Sequence, residues 1–289
     1  MLPTLMIGMP HEPSGRPPLL MSGFLALDDQ PTVTAAWLHA VSRLLTNGNR
    51  AYNLVYSVTE PSSLTSADVA VARSFNAFAK ANGLHTTETV ANTIFPLDTY
   101  RSQGAEDLYE YYLEEIFPKV RKQWGTYFER MIRRRNDNGS TMLLDGEPFN
   151  PLLRLVQKVA RRVQQGGTTT HFELSLDDPA FDLATYDAHH DSAYTIGGPC
   201  LSHLSFKIDG TGALRLTAFY RSHWYVARAL GNLVGLARLQ TFVASQAGAA
   251  VGPLTIIASE AVLDLSGKAR SATTTRTALK ACQTILDAG

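Results

Sequence analysis

Ala35, Leu38, Val41, Leu44 and Leu45 recur at the spacing of one apolar helix face, with Thr32 or Thr34 as the cap and Asn47-Gly48 as the stop. Ser66 and Asp68 open a second expected helix, through Val71, Phe75, Phe78 and Ala79 to Gly83. A short third runs from Glu88 to Phe95, ended at Pro96. An amphipathic fourth spans Glu106 to Val120 with Leu108, Tyr112, Leu113 and Ile116 on its apolar side, and another spans Pro151 to Gln164 before Gly166-Gly167. Leu233 to Ala244 reads as an apolar helix. Elsewhere the pattern changes to alternation: Tyr52, Leu54, Tyr56 and Val58 mark a half-buried strand within Ala51 to Thr59, which Pro61 stops. Gly23 to Leu27, Thr168 to Leu176, Leu201 to Ile208, Ala213 to Tyr220 and Leu254 to Leu265 supply further strands. Helices in the first half and mostly strands in the second predict an α+β fold, a large mixed sheet covered by helices. Residues 1–31, rich in proline and glycine, read as an irregular arm, and 32–289 as one domain. No internal repeat, heptad run or low-complexity stretch interrupts this order.

Composition narrows the classes of function. With 289 residues and 45% apolar content the chain can bury a sizeable core. Its formal net charge is zero, so a broad field attracting nucleic acid or anionic lipid is absent, and small molecules or proteins are the expected partners. The run Arg133-Arg134-Arg135 reads as a solvated turn, since no stacking aromatics interleave with it. Two cysteines, Cys200 and Cys282, give neither a disulfide framework nor a zinc ligand set and suit a reducing cytoplasm. His189-His190-Asp191 has metal-ligand residue types, but adjacent histidines on an extended segment point to opposite sides, so no metal is expected. The start lacks a basic segment followed by an apolar run, and no stretch approaches the ~18 apolar residues that span a bilayer, so a soluble protein is expected.

The chemistry concentrates between Cys200 and Asn232. A thiol beside a fixed guanidinium favours a reactive thiolate, and an arginine followed by a serine, Arg221-Ser222, converges well on an oxyanion. Each residue also has an ordinary reading. Cys200 can be inert core, Arg221 can pair with a carboxylate, Asn232 after Gly231 can cap a helix, and Glu88 can be a first-turn glutamate. Cys282 reads as packing.

Cys200, then 20 residues, Arg221-Ser222, then 9 residues, Asn232 and an apolar helix resembles the active-site segment of thymidylate synthases. The hairpin from Ser202 to Tyr220 around Lys207-Ile208-Asp209-Gly210-Thr211-Gly212 also matches, with one net extra residue. The resemblance implies that Cys200 adds to C6 of a pyrimidine nucleotide, that Arg221 and Ser222 hold its phosphate, and that Asn232 reads the base edge. A weaker match, Thr87-Glu88-Thr89-Val90 followed 39 residues after Glu88 by Tyr127 in Trp124-Gly125-Thr126-Tyr127, implies Glu88 as the catalytic glutamate and Tyr127 as a substrate contact. It also implies a methylenetetrahydrofolate donor and a homodimer through back-to-back sheets.

The departures fall on substrate contacts. Trp224 stands where the family has a folate-side aspartate, and Ala227-Arg228 replaces a Leu-Gly pair. Glu260-Ala261-Val262-Leu263-Asp264 replaces the strand whose histidine and tyrosine grip the sugar. The arginines lent across the dimer would fall near Thr168 to His171, where none occurs, unless Arg161, Arg162 or Arg228 substitutes. The folate-covering tail is not recognisable. Two functions follow: a one-carbon transferase that methylates or hydroxymethylates C5 of a pyrimidine nucleotide, or a non-catalytic nucleotide-binding or scaffold subunit of a biosynthetic or defence complex.

Overall fold

The computed structural model describes residues 23–121, 126–136, 139–168, 171–176 and 200–289. Most of the proline-rich arm, Trp124-Gly125 and His189-His190-Asp191 lie outside the described residues. The elements run β1 (Leu25–Ala26), α1 (Val33–Thr46), β2 (Arg50–Val58), α2 (Ser66–Ala81), α3 (Thr87–Ile94), α4 (Leu97–Tyr111), a π-turn (Tyr112–Ile116) and α5 (Phe117–Val120). Then follow α6 (Tyr127–Ile132), β3 (Leu143–Leu144), β4 (Glu147–Pro148), α7 (Pro151–Gln165), β5 (Glu173–Ser175), β6 (Leu201–Ile208) and β7 (Ala213–Tyr220). The last are β8 (His223–Trp224), α8 (Ala229–Ala247), β9 (Ala250–Val262) and α9 (Ala272–Asp287).

The α+β expectation holds: one mixed sheet runs β1-β2-β9-β7-β6-β5, with β8 pairing the far end of β9. β9 is antiparallel to β2 and parallel to β7, while β6 is antiparallel to β7. Among the described residues the helices cover one face. Leu54, Tyr56, Leu204, Phe206, Leu216, Ala218, Leu254 and Ile256 are buried beneath them, whereas the alternate residues Val55, Ser57, Thr217, Phe219, Thr255 and Ile257 on the other face keep partial exposure.

Local chemistry sets the helix ends. Thr32 caps α1 by accepting from the Ala35 N–H, and Thr65, one residue ahead of the expected start, closes a capping box with Asp68 at α2. The helix expected over Glu106 to Val120 instead begins at Leu97, breaks at Gly104 and passes through the π-turn before α5. Gly104 adopts φ 76°, and Pro118 has no N–H for a carbonyl four residues back, so an unbroken α ladder is unavailable there.

β9 starts four residues before the expected Leu254, through Gly252-Pro253. Gly252 permits a close approach, since a Cβ there would lie 3.1 Å from the Leu214 carbonyl oxygen. The buried Gln240 amide on α8 then donates to the carbonyls of Leu214 at 2.7 Å and Gly252 at 2.8 Å, beside the register shift between Leu214 and Leu216.

The arginine run is a correction to the solvated-turn reading. Glu129, nearly fully buried on α6, accepts from Arg133 Nε at 2.8 Å and lies 3.3 Å from Arg135, and Arg133 sits over the Phe117 ring. A buried carboxylate needs paired cations, and the run supplies them.

α8 is the central helix. It crosses α3 at Gly231 and Gly235, where an added Cβ would meet Val90 Cβ at 2.4 Å and the Ala91 carbonyl oxygen at 2.8 Å. Only hydrogen at these positions lets the two backbones approach this closely.

Candidate active site around Cys200

Antiparallel pairing of Leu201 with Tyr220 sets residues 200 and 221 opposite each other just beyond the β6–β7 ladder. The Arg221 N–H donates to the Cys200 carbonyl at 3.0 Å, and the register shift between Leu201 and His203 bends the strand beside the thiol. Arg221 also hydrogen-bonds the Cys200 side chain, and its charge and that of Arg228 both act on the sulfur. Ser222 follows in the bend, partly exposed.

The expectation of a lowered thiol is corrected in sign. Burial pushes the Cys200 thiol above its ordinary value, and the opposing pulls of Arg221 and Arg228 do not fully offset it. The resting side chain is therefore a thiol whose thiolate two guanidinium groups stand ready to stabilise.

Tyr127 opens α6 and is buried, and the backbone of Cys200 and Leu201 hydrogen-bonds its phenol oxygen. Burial raises its phenol well above the usual range. Tyr127 thus anchors the backbone at the cysteine.

Asn232 is not a helix cap: it is the fourth residue of α8, 2% exposed, with Arg228 at the N-cap. Its Nδ2 lies 3.1 Å from His223 Nε2, and its Oδ1 has no hydrogen-bond partner. The His223 ring stacks on Tyr220 with centroids 4.0 Å apart and planes 3° apart. His223 Nδ1 and the Tyr220 hydroxyl are likewise buried without partners among the described residues. Burial alone lowers the His223 pKa to about 3, so the imidazole is neutral at ordinary pH. Burial chiefly raises the Tyr220 phenol, and Tyr127 and Cys200 lie near enough to raise it further if they ionise, which links this polar row to the thiol.

Glu88 stands apart from that row. It makes two 2.8 Å bonds to Arg238 on α8, and Arg238 chiefly lowers its carboxyl pKa. It lines a groove of about 660 Å³ with Phe95, Tyr100, Leu230, Arg238 and Phe242, and that lining includes none of Cys200, Arg221, Ser222 or Asn232. Asp264, from the stretch that replaces the sugar-gripping strand, accepts from the backbone N–H groups of Val226 and Ala227 and pairs with Arg270 at 2.6 Å. It secures the loop between β8 and α8. Trp37 does the same from α1, donating to the Tyr225 carbonyl at 2.7 Å.

Sequence reasoning named Arg228 only as a substitute and passed over His223 and Tyr220. Their signal was position: Tyr220 and His223 flank the Arg221-Ser222 pair, and Arg228 precedes Asn232 by one helical turn. Among the described residues no group of three or more His, Cys, Asp or Glu could hold a metal ion, and no helix is long and apolar enough to cross a membrane.

Arg221 and Arg228 thus both act on the Cys200 thiol, Tyr127 meets the backbone beside it, and Arg228 lies one helical turn before the buried Asn232. The chain is 36% identical over 168 residues to a curated protein of Methanopyrus kandleri described as "Putative thymidylate synthase", a match covering 58% of this chain and 65% of that protein. The chain thus spans just under two thirds of the length of that curated relative. No protein-family model matches this chain. A solved structure, thermostable thymidylate synthase A from Bacillus subtilis, aligns over 80% of this chain and 79% of its own at 13% identity with a TM-score of 0.45.

Proposed function

We propose that this protein transfers a one-carbon group to C5 of a pyrimidine nucleotide through a covalent Cys200 adduct. The observation that supports it most is the convergence of Arg221 and Arg228 on one buried thiol. Both arginines belong to the same chain, so a phosphate can be held without cations lent by a neighbour. Bidentate guanidinium contacts and the Ser222 hydroxyl suit that oxyanion.

In the proposed reaction the Cys200 thiol gives up its proton to water and its sulfur forms a bond to C6. The C5–C6 π electrons move onto O4, leaving C5 nucleophilic. C5 takes an electrophilic carbon and then loses its proton, and the electrons returning to C5–C6 expel the thiolate. Tyr127 holds the backbone at Cys200 so that the sulfur keeps one approach to the ring. Asn232 pairs with the base edge. Glu88 receives no step, because its carboxylate is committed to Arg238.

Methylenetetrahydrofolate is the donor the resemblance implies, but its polar anchor does not fit this chain. Trp224, 52% exposed, stands at the aspartate position and offers no acceptor, and the Asp264 carboxylate is already taken by Val226, Ala227 and Arg270. The reading therefore rests on what the chain does to the pyrimidine. The partly exposed sheet face of Val55, Thr217, Phe219 and Ile257 supports a homodimer through that face.

A second reading, nucleotide binding without turnover, is favoured by the upward shift of the Cys200 thiol. Incubation with 5-fluorodeoxyuridylate and methylenetetrahydrofolate separates the two, because once C5 has taken the carbon, fluorine cannot leave it as a proton does. Mass spectrometry should find the nucleotide on the Cys200 peptide of the wild type and not of Cys200→Ser. Bound nucleotide with no adduct would establish the second reading.

A further inference from the structure

Asn232, His223 and Tyr220 form a buried row whose internal bond leaves one amide edge unused. An asparagine offers an acceptor oxygen and two N–H donors. Nδ2 lies 3.1 Å from His223 Nε2 and can donate one hydrogen to it, and its second hydrogen and the Oδ1 that has no partner among the described residues remain for a ligand. That free edge is a donor next to an acceptor. Uracil presents the complement, O4 as acceptor next to N3–H as donor, and cytosine presents the reverse order. Turning the amide over would reverse the match, so whatever fixes the amide also chooses the base.

The geometry points to His223 as that residue: by accepting from Asn232 Nδ2 through Nε2, it fixes the amide so that the free edge selects a uracil-type base over a cytosine-type one. The inference rests on the nucleotide reading above and assigns His223 a positioning role, since the ring itself touches Asn232. Two features keep the imidazole in place. It stacks flat on Tyr220, and it lies in a ring of aromatics completed by Tyr225 at 5.1 Å. Burial lowers its pKa and keeps it neutral, and because the amide nitrogen 3.1 Å away can only donate, the contact requires the lone pair on Nε2 and the proton on Nδ1. An amide oxygen left buried and unpaired is destabilising, and a base N–H would remove that penalty.

Two measurements test this. Nitrogen-15 NMR of the imidazole reads the tautomer directly in the nucleotide-free protein: a protonated Nδ1 and an accepting Nε2 are expected, with the Nε2 signal moved in Asn232→Ala. A protonated Nε2 would overturn the assignment. Calorimetry with deoxyuridylate and deoxycytidylate should show a preference for deoxyuridylate of roughly tenfold or more in the wild type. His223→Gln, whose own amide both donates and accepts, should narrow that preference to within about threefold. Binding of both nucleotides with a preference that His223→Gln leaves unchanged would overturn the inference while the nucleotide reading stands. Binding of neither to the wild type would instead defeat the nucleotide reading and, with it, the base assignment.

Discussion

The backbone N–H of Arg221 donates to the carbonyl of Cys200 at 3.0 Å, one step beyond the last pair of the β6–β7 ladder. The cysteine and the guanidinium are thus neighbours by strand register rather than by a flexible loop. Because burial raises the Cys200 thiol and Arg221 lowers it, iodoacetamide should label Cys200 more slowly than an exposed cysteine near pH 8, with the rate rising as pH rises. Arg221→Ala removes a lowering influence, so its pKa moves up and labelling at that pH slows by about three- to tenfold. Faster labelling in Arg221→Ala would contradict the assigned geometry.

Arg228 and Glu88 should separate cleanly. Arg228→Ala is expected to weaken nucleotide monophosphate binding by about tenfold or more, measured by calorimetry, because one of two cations beside the thiol is lost. Glu88→Gln should change nucleotide binding less than about threefold and stability by no more than about 1 kcal/mol, as befits a half-exposed ion pair. A large loss of C5 chemistry in Glu88→Gln would return Glu88 to the reaction.

Acid stability should report His223. Its folded pKa is about 3 against an ordinary 6.5, so below 6.5 the unfolded chain takes up a proton that the folded chain refuses. Its contribution to stability is complete above 6.5 and is lost as pH falls from 6.5 toward 3, at roughly 1.4 kcal/mol per unit. Urea denaturation of wild type and His223→Gln across this range should show the wild type losing more, and parallel curves would argue against a buried neutral imidazole.

Gly235→Ala should destabilise the fold by about 1–3 kcal/mol, because its Cβ would lie 2.8 Å from the Ala91 carbonyl oxygen and 2.9 Å from Ile94 Cβ. Gly248→Ala meets nothing within 4 Å but would place alanine at φ +72°, so its cost is backbone strain alone. Thermal unfolding of the two variants distinguishes overpacking from strain.

Strand register and the cysteine-arginine neighbourhood were legible in the sequence because alternation over Leu201 to Ile208 and Ala213 to Tyr220 fixes which residues face each other. The Gly252-Pro253 start of β9 was not, since a glycine-proline pair ordinarily ends a strand, and here the Gln240 amide of the preceding helix donates to its carbonyls. The buried pairing of Glu129 with Arg133 and Arg135 was hidden for a similar reason: a charge run looks solvated until the helix that buries its partner is known. Asn232 looked like a cap because Gly231 precedes it, yet that glycine serves the α3–α8 crossing and the helix begins earlier.

The central claim is that Cys200 attacks C6 of a pyrimidine nucleotide. The most direct test is tritium release from C5-labelled deoxyuridylate, uridylate, deoxycytidylate and cytidylate, with and without methylenetetrahydrofolate, by wild type and Cys200→Ser. Release from a uracil nucleotide that disappears in Cys200→Ser is the predicted result. A correctly folded wild type that releases tritium from none of the four would contradict the account.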